Sequence, residues 1–175
     1  MMKPSGRDPR PTQSADADAQ QLERIFREHG QLVLDTAYRL TGNAGDAEDV
    51  LQDVFLGLTS ALKRYREVGT FSSWLRRVTV RAALMKLRSE RRFREVDADT
   101  APEAPDRKAD QPVERIALER AIADLPDLLR VVFVLREVEG YSHAEIAELL
   151  AIREGTSQVR HYRAVRQLRA ALGES

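Results

Sequence analysis

Gln158, Val159, Tyr162, Arg163 and Arg166 fall on one side of a helical repeat near the end of the chain. Arg and Gln carry donors that reach base edges, and Val and Tyr can meet a thymine methyl or the backbone, so the group suits the major groove of duplex DNA. The other side, positions 157, 161, 164, 168 and 171, is made apolar by Ala164, Leu168 and Ala171. A shorter repeat precedes it, with Ile146, Ala147, Leu149 and Leu150 inward, Ala147 being small where two helices would cross closely. A short helix, a tight turn over 151–155 and a longer basic helix make a helix-turn-helix pattern. A basic helix face is as often merely solvated, so periodicity alone leaves these two readings level.

Charge distribution moves that balance. The 28 Lys and Arg equal the 28 Asp and Glu, but they are segregated. Gly42 to Leu62 holds four acids and no Lys or Arg; Lys63 to Arg94 holds eleven bases and two acids. Glu95 to Glu114 holds seven acids and two bases, and Ala151 to Ala171 five Arg and one Glu. Two basic blocks separated by acidic ones suit a protein that touches nucleic acid twice and a protein partner elsewhere. No enzyme is expected: His29, His143 and His161 are scattered without a base–nucleophile or zinc spacing, and there is no Gly-rich phosphate loop. With no cysteine there is neither a disulfide scaffold nor a thiolate metal site, so no metal and no cofactor are expected. The first residues lack the apolar stretch of a signal peptide, and nothing approaches the roughly 20 apolar residues that span a bilayer. A cytoplasmic protein without membrane insertion follows.

The elements that must position these residues are all helical. Residues 1–17, rich in Pro, Ser and Asp, are expected to be disordered. Leu22, Ile25, Phe26, Leu32, Val33, Ala37 and Leu40 then recur at helical spacing up to the break Thr41-Gly42-Asn43. Asn43 or a neighbour can cap the next helix, whose first turns carry Asp46, Glu48 and Asp49, where the helix dipole favours acids. That helix presents Val50, Leu51, Val54, Phe55, Leu58 and Leu62 on one face, and a third long helix runs from about Phe71. Residues 96–112, with three prolines and almost no large apolar residue, read as a flexible linker. Four helices follow: 113–124; 127–139 behind Pro126; 143–150 behind a capping box of Ser142 and Glu145; and 156–172. The expected fold is all-α, two small helical domains (18–95 and 113–173), the second containing the helix-turn-helix.

Within that frame, LPDLLRVVFVLREVEGYSHAEIAELLAIREGTSQVRHYRAVRQLRAAL resembles region 4 of the extracytoplasmic-function (ECF) sigma factors of the sigma-70 family. The matching marks include Leu125-Pro126, Arg130, Gly140-Tyr141-Ser142, Glu145-Ile146-Ala147, Gly155-Thr156 and Arg163-Ala164. RLTGNAGDAEDVLQDVFLGL and TFSSWLRRV resemble region 2, so that the likeness runs in order over about residues 18–173.

The resemblance implies an alternative sigma factor that brings core RNA polymerase to promoters and helps melt the −10 element. Asp46, Glu48, Asp49, Gln52, Asp53 and Phe55 would dock on the polymerase β′ clamp helices, with Phe55 as apolar anchor; the plainer reading of the acids is a solvated, capped helix start. Lys63, Arg64, Arg76, Arg77, Arg81, Lys86 and Arg88 would follow −10 phosphates. Tyr65, Phe71 and Trp74 flank a loop able to stack an unpaired base, worth roughly 1–3 kcal/mol, although Trp74 at helical spacing reads more readily as core, which puts the captured base in the Tyr65–Phe71 loop. Gln158, Val159, Tyr162 and Arg163 would read the −35 duplex, with Thr156 beside them and Arg153 and Arg166 on phosphates. The second domain would also meet the β flap, the acidic linker would thread the polymerase channel or serve as a plain tether, and an anti-sigma factor is an expected partner. Arg81 stands where the family usually has Asn, Gln158-Val159 where it has Lys-Ser or Arg-Ser, and His161, read as a partly buried packing residue, where it has an aliphatic one. A stand-alone helix-turn-helix regulator and a sigma-like decoy without promoter activity are the competing readings.

Overall fold

A computed structural model describes residues 13–66, 69–94 and 113–173. Residues 1–12, the expected linker 96–112, and Glu67 and Val68 of the expected base-capturing loop lie outside the described residues. All described elements are helical: α1 Gln13–Thr41, α2 Ala44–Leu62, α3 Phe71–Arg94, α4 Val113–Ala123, α5 Asp127–Phe133, a π-helical turn Val134–Val138, α6 His143–Leu150 and α7 Glu154–Ala171.

The helix ends follow from local chemistry. α1 stops at Gly42, whose φ of 70° is left-handed, and its amide closes onto the Tyr38 carbonyl at 2.7 Å. Asn43 then caps α2, its side-chain oxygen accepting the Asp46 amide at 3.1 Å. Thr70 does the same for α3, accepting the Ser73 amide at 3.2 Å. Ahead of α6, Ser142 Oγ accepts from the Glu145 amide and Glu145 Oε2 accepts from the Ser142 amide at 2.8 Å, the expected capping box complete in both directions.

α1, α2 and α3 form one bundle, and α4 to α7 a second. The first buries Val33, Leu40, Val50, Leu58, Leu75 and Val80; the second buries Val132, Val134, Leu135, Ile146, Ala164 and Leu168. Each large aliphatic side chain so covered contributes about 1.5–3 kcal/mol. The bundles also meet: the C-terminal half of α1 packs against α4 and α5, and the two cores join there.

Several expectations shift. α1 begins at Gln13, five residues ahead of the expected domain start at 18. Phe26, expected inward, is 49% exposed, because α1 turns that edge past the rim of α2, while Ala171 is exposed at the end of α7, beyond the partner helices. The helix expected over 127–139 changes pitch at Val134, where the Glu139 amide reaches the Val134 carbonyl five residues back at 3.0 Å. The helix-turn-helix turn is shorter than expected: α7 starts at Glu154, and Gly155 lies within its first turn. The left-handed residue is Ala151, with φ 53° and ψ 46°, not a glycine. An L-residue in that conformation carries about 1–2 kcal/mol of strain. Ala151→Gly is therefore expected to raise stability by about 0.5–1 kcal/mol, part of the relief being offset by the freer unfolded chain. Chemical denaturation followed by circular dichroism measures it, and a loss of stability would show that the alanine methyl holds the turn by packing.

Candidate nucleic-acid and polymerase interfaces

α7 lies against α6 and α5, which fixes which side of it faces out. Ser157, Ala164 and Leu168 are buried. Gln158, Arg163 and Arg166 are exposed, as are Val159 at 50% and Tyr162 at 65%. A valine and a tyrosine held that far into solvent serve no core, which favours a readout face over a packing face. Arg153 stands exposed at the N-cap of α7 and Thr156 is half-buried behind it. The relation between the two helices is set by hydrogen bonds as well as packing, since His143 Nδ1 of α6 lies 2.9 Å from Ser157 Oγ of α7. Burial and the nearby Arg136 hold the His143 imidazole below its usual range, so it stays neutral near pH 7. His161 is half-buried, as expected of a packing residue: its ring stacks on Phe133, and its Nε2 lies 2.8 Å from Glu137 of the π-helical turn. The sequence carried no signal for that Glu137 partner, which lies across the bundle.

Around α3 the predicted aromatics form one cluster. Tyr65 sits 4.9 Å from Trp74 and 5.5 Å from Phe71 between ring centroids, and Phe71 lies 5.4 Å from Trp74. All three rings are half-buried, so Trp74 is neither pure core nor free. His29 of α1 joins them at 5.1 Å from Phe71, a member the scattered histidines did not reveal. Lys63, Arg64, Arg76, Arg77, Arg81 and Arg88 are exposed. Lys86 behaves differently: its ammonium donates to Asp49 at 2.6 Å and lies 3.9 Å from Asp46. One residue expected on phosphate thus bridges to two acids expected on the polymerase.

On α2, Glu48, Asp49, Gln52 and Asp53 are exposed and Asp46 is half-buried. Phe55, expected as the anchor, is 8% exposed and belongs to the core, its ring packed edge-on against Phe26 at 5.0 Å. The apolar groups that face solvent there are Phe26 and Leu56, the latter 75% exposed. Leu22, Phe26, Glu48, Asp49, Leu51, Gln52, Phe55 and Leu56 line a shallow groove with an apolar floor and an acidic rim. Such a rim and floor fit a partner surface bearing basic and apolar side chains.

Among the described residues no group of His, Asp and Glu could hold a metal ion, and no helix is long and apolar enough to cross a membrane.

Residues 25–93 match the family model of Sigma-70 region 2, and residues 115–168 that of Sigma-70 region 4. The chain is 34% identical over 159 residues to the ECF RNA polymerase sigma factor SigE of Mycolicibacterium smegmatis, covering 87% of this chain and 62% of that relative's length. It is 32% identical over 156 residues to the ECF RNA polymerase sigma factor SigM of Mycobacterium tuberculosis, covering 89% and 79%. With the RNA polymerase sigma factor CarQ of Myxococcus xanthus it shares 34% identity over 158 residues, 87% of this chain and 90% of that one. Among solved structures, the sigma factor RpoE in complex with the anti-sigma factor NepR from Bartonella quintana has the same fold, with a TM-score of 0.63 at 17% identity over 88% of this chain and 98% of that one.

Proposed function

The chain belongs to the sigma-70 family as an ECF sigma factor, and on that premise we propose that it recruits core RNA polymerase to promoters through three separate surfaces. The groove on α2 docks on the polymerase clamp helices: Glu48, Asp49, Gln52 and Asp53 supply polar complementarity, and Phe26 and Leu56 replace Phe55 as exposed anchors. The basic face of α3, with the Tyr65, Phe71 and Trp74 cluster at its start, holds the −10 strand. Arginines there follow phosphates, and the half-exposed rings offer a stacking surface for an unpaired base. The exposed face of α7 enters the major groove of the −35 element, with Gln158, Val159, Tyr162 and Arg163 toward base edges and Arg153 and Arg166 toward phosphates. Core polymerase would also meet the second bundle through its β flap, and an anti-sigma factor would hold the chain inactive in the cytoplasm; the similar RpoE is seen in complex with the anti-sigma factor NepR. The protein acts by binding rather than catalysis, since strand opening draws on the binding energy of the separated strand.

The observation that carries this reading is one chain combining a helix-turn-helix with an outward Val159–Tyr162 face and, on a different bundle, an apolar groove with an acidic rim on α2. A stand-alone DNA-binding regulator has no use for the second surface. Transcription from a genomic-fragment library by core polymerase, with and without the chain, tests it. Start sites that arise only with the chain are expected, and aligning them yields both promoter elements. Binding to core enzyme with no new start sites would make the chain a decoy, and no binding to core enzyme would leave a stand-alone regulator.

A further inference from the structure

The inner side of α7 is held by polar contacts at two successive turns. Ser157, fully buried, lies with its Oγ 2.9 Å from Nδ1 of His143 on α6. One turn later, His161 Nε2 lies 2.8 Å from Glu137 Oε1 on the π-helical turn, and the His161 ring stacks on Phe133 of α5 with the planes 16° apart. The two imidazoles also touch, edge to face, with centroids 5.5 Å apart. Residues four apart stand one above the other on a helix, so the two contacts form a ladder along α7. The residue after each rung, Gln158 and then Tyr162, is exposed on the readout face. Any rotation of α7 about its axis that loosened a rung would swing Gln158 and Tyr162 by the same angle.

The rungs differ in how they respond to protons. Burial, with the added repulsion of Arg136 and His161, holds the His143 imidazole below its usual range, so the Ser157 rung joins neutral groups near pH 7. The other rung joins an imidazole to a carboxylate, with the His161 side chain 23% and the Glu137 side chain 48% exposed. A protonated imidazole donates a charge-assisted hydrogen bond, roughly twice as strong as a neutral one. The other charged groups acting on the imidazole pair are Arg136 of the π-helical turn and Glu154 of α7, which oppose each other in sign.

We infer that Glu137 and His161 are positioning residues for −35 readout: their contact fixes the rotation of α7 about its axis, and it holds most firmly when His161 carries a proton. The inference rests on the −35 role proposed for α7. It makes sequence selectivity, rather than stability, respond to mild acid, because a half-exposed pair adds little to folding.

The test uses holoenzyme reconstituted from core polymerase and the full chain, on a template taken from any start site of the transcription assay with its −35 element randomised. The readout is the ratio of transcripts from the preferred −35 sequence to those from its single-base variants, so the polymerase's own response to pH cancels. For the wild-type chain the ratio is expected to be about three-fold higher at about pH 6.5 than at about pH 8, a size that a half-exposed ion pair can supply. Glu137→Gln and His161→Leu are each expected to give the low ratio at both pH values. His161→Arg, whose guanidinium is charged throughout and can stack on Phe133, is expected to give the high ratio at both. Melting temperatures should differ by less than about 4 °C across the set and should not follow the ratios. Amide hydrogen exchange over residues 157–163 is expected to quicken in Glu137→Gln. A wild-type ratio that ignores pH, or a pH response that survives in His161→Leu, overturns the inference. Selectivity lost in Glu137→Gln with unchanged exchange would place Glu137 on the DNA itself and overturns positioning as well. A transcription assay without any start sites removes the −35 reading first and this inference with it, so the two failures are told apart.

Discussion

Arg130→Ala is expected to destabilise the chain by about 3–5 kcal/mol, the range seen when one partner of a buried ionic network is removed. Arg130 is only 4% exposed, and a guanidinium has five N–H donors. Here the five meet Leu40, Thr41, Ala123 and Leu125 carbonyls and the Asp127 carboxylate, at 2.6 to 3.2 Å. Truncation leaves four carbonyls of two helix termini short of a donor and a carboxylate short of a cation. The expected fall in melting temperature exceeds about 10 °C, given the usual 4–8 °C per kcal/mol for bundles of this size. Arg130→Lys is expected to recover less than half of the loss, because an ammonium has three donors and lacks the planar fork that spans two helix ends. Urea titration followed by circular dichroism distinguishes the cases; a loss below about 1 kcal/mol would mean that water replaces the guanidinium at the seam.

This residue also marks where the sequence stops being informative. Helix ends set by neighbours in the chain were legible: Asn43 capping α2 and the reciprocal Ser142–Glu145 box rest on side chains three residues from the amides they serve, and Pro126 before α5 acts through its own fixed backbone angle. The outward set on α7 was legible for the same reason, since one helix period fixes which residues share a face. Periodicity does not say how two faces divide between core and rim. Phe26 and Phe55 both carry the spacing of core residues, and only the crossing of α1 over α2 decides that Phe55 is covered and Phe26 is left half in solvent. The hydrogen bonds of Arg130 to the end of α1 and of Arg88 to the Leu149 carbonyl of α6 join residues that are far apart in sequence, and no local pattern announces them. The turn over 151–155 was legible but not its left-handed residue, since nothing in the type of Ala151 marks it for that conformation and Gly155 lies in the first turn of α7.

The division between Phe26, Leu56 and Phe55 sharpens the second large effect. Asp49→Arg combined with Gln52→Ala is expected to reduce transcription dependent on this chain by at least about 100-fold, equivalent to some 2.7 kcal/mol of docking free energy. Asp49 is bonded to Lys86, so the change also breaks an ion pair and places two cations together. That pair is half-exposed at its carboxylate end, and such pairs contribute about 0–1 kcal/mol, too little to account for the expected loss by unfolding. Leu56→Ser separates the two effects more cleanly. At 75% exposure its removal leaves the core untouched, so the melting temperature should hold within about 2 °C while affinity for core polymerase falls about ten-fold. Phe55→Ser is expected to do the reverse, lowering stability first, because its ring is packed beneath Phe26. Measuring core-enzyme affinity and thermal stability on the same three variants gives the decisive pattern. Affinity loss that tracks Leu56 and the Asp49 and Gln52 pair, independent of stability, places the docking surface on the exposed rim of α2; affinity loss that tracks stability alone would mean the groove is not where the polymerase binds.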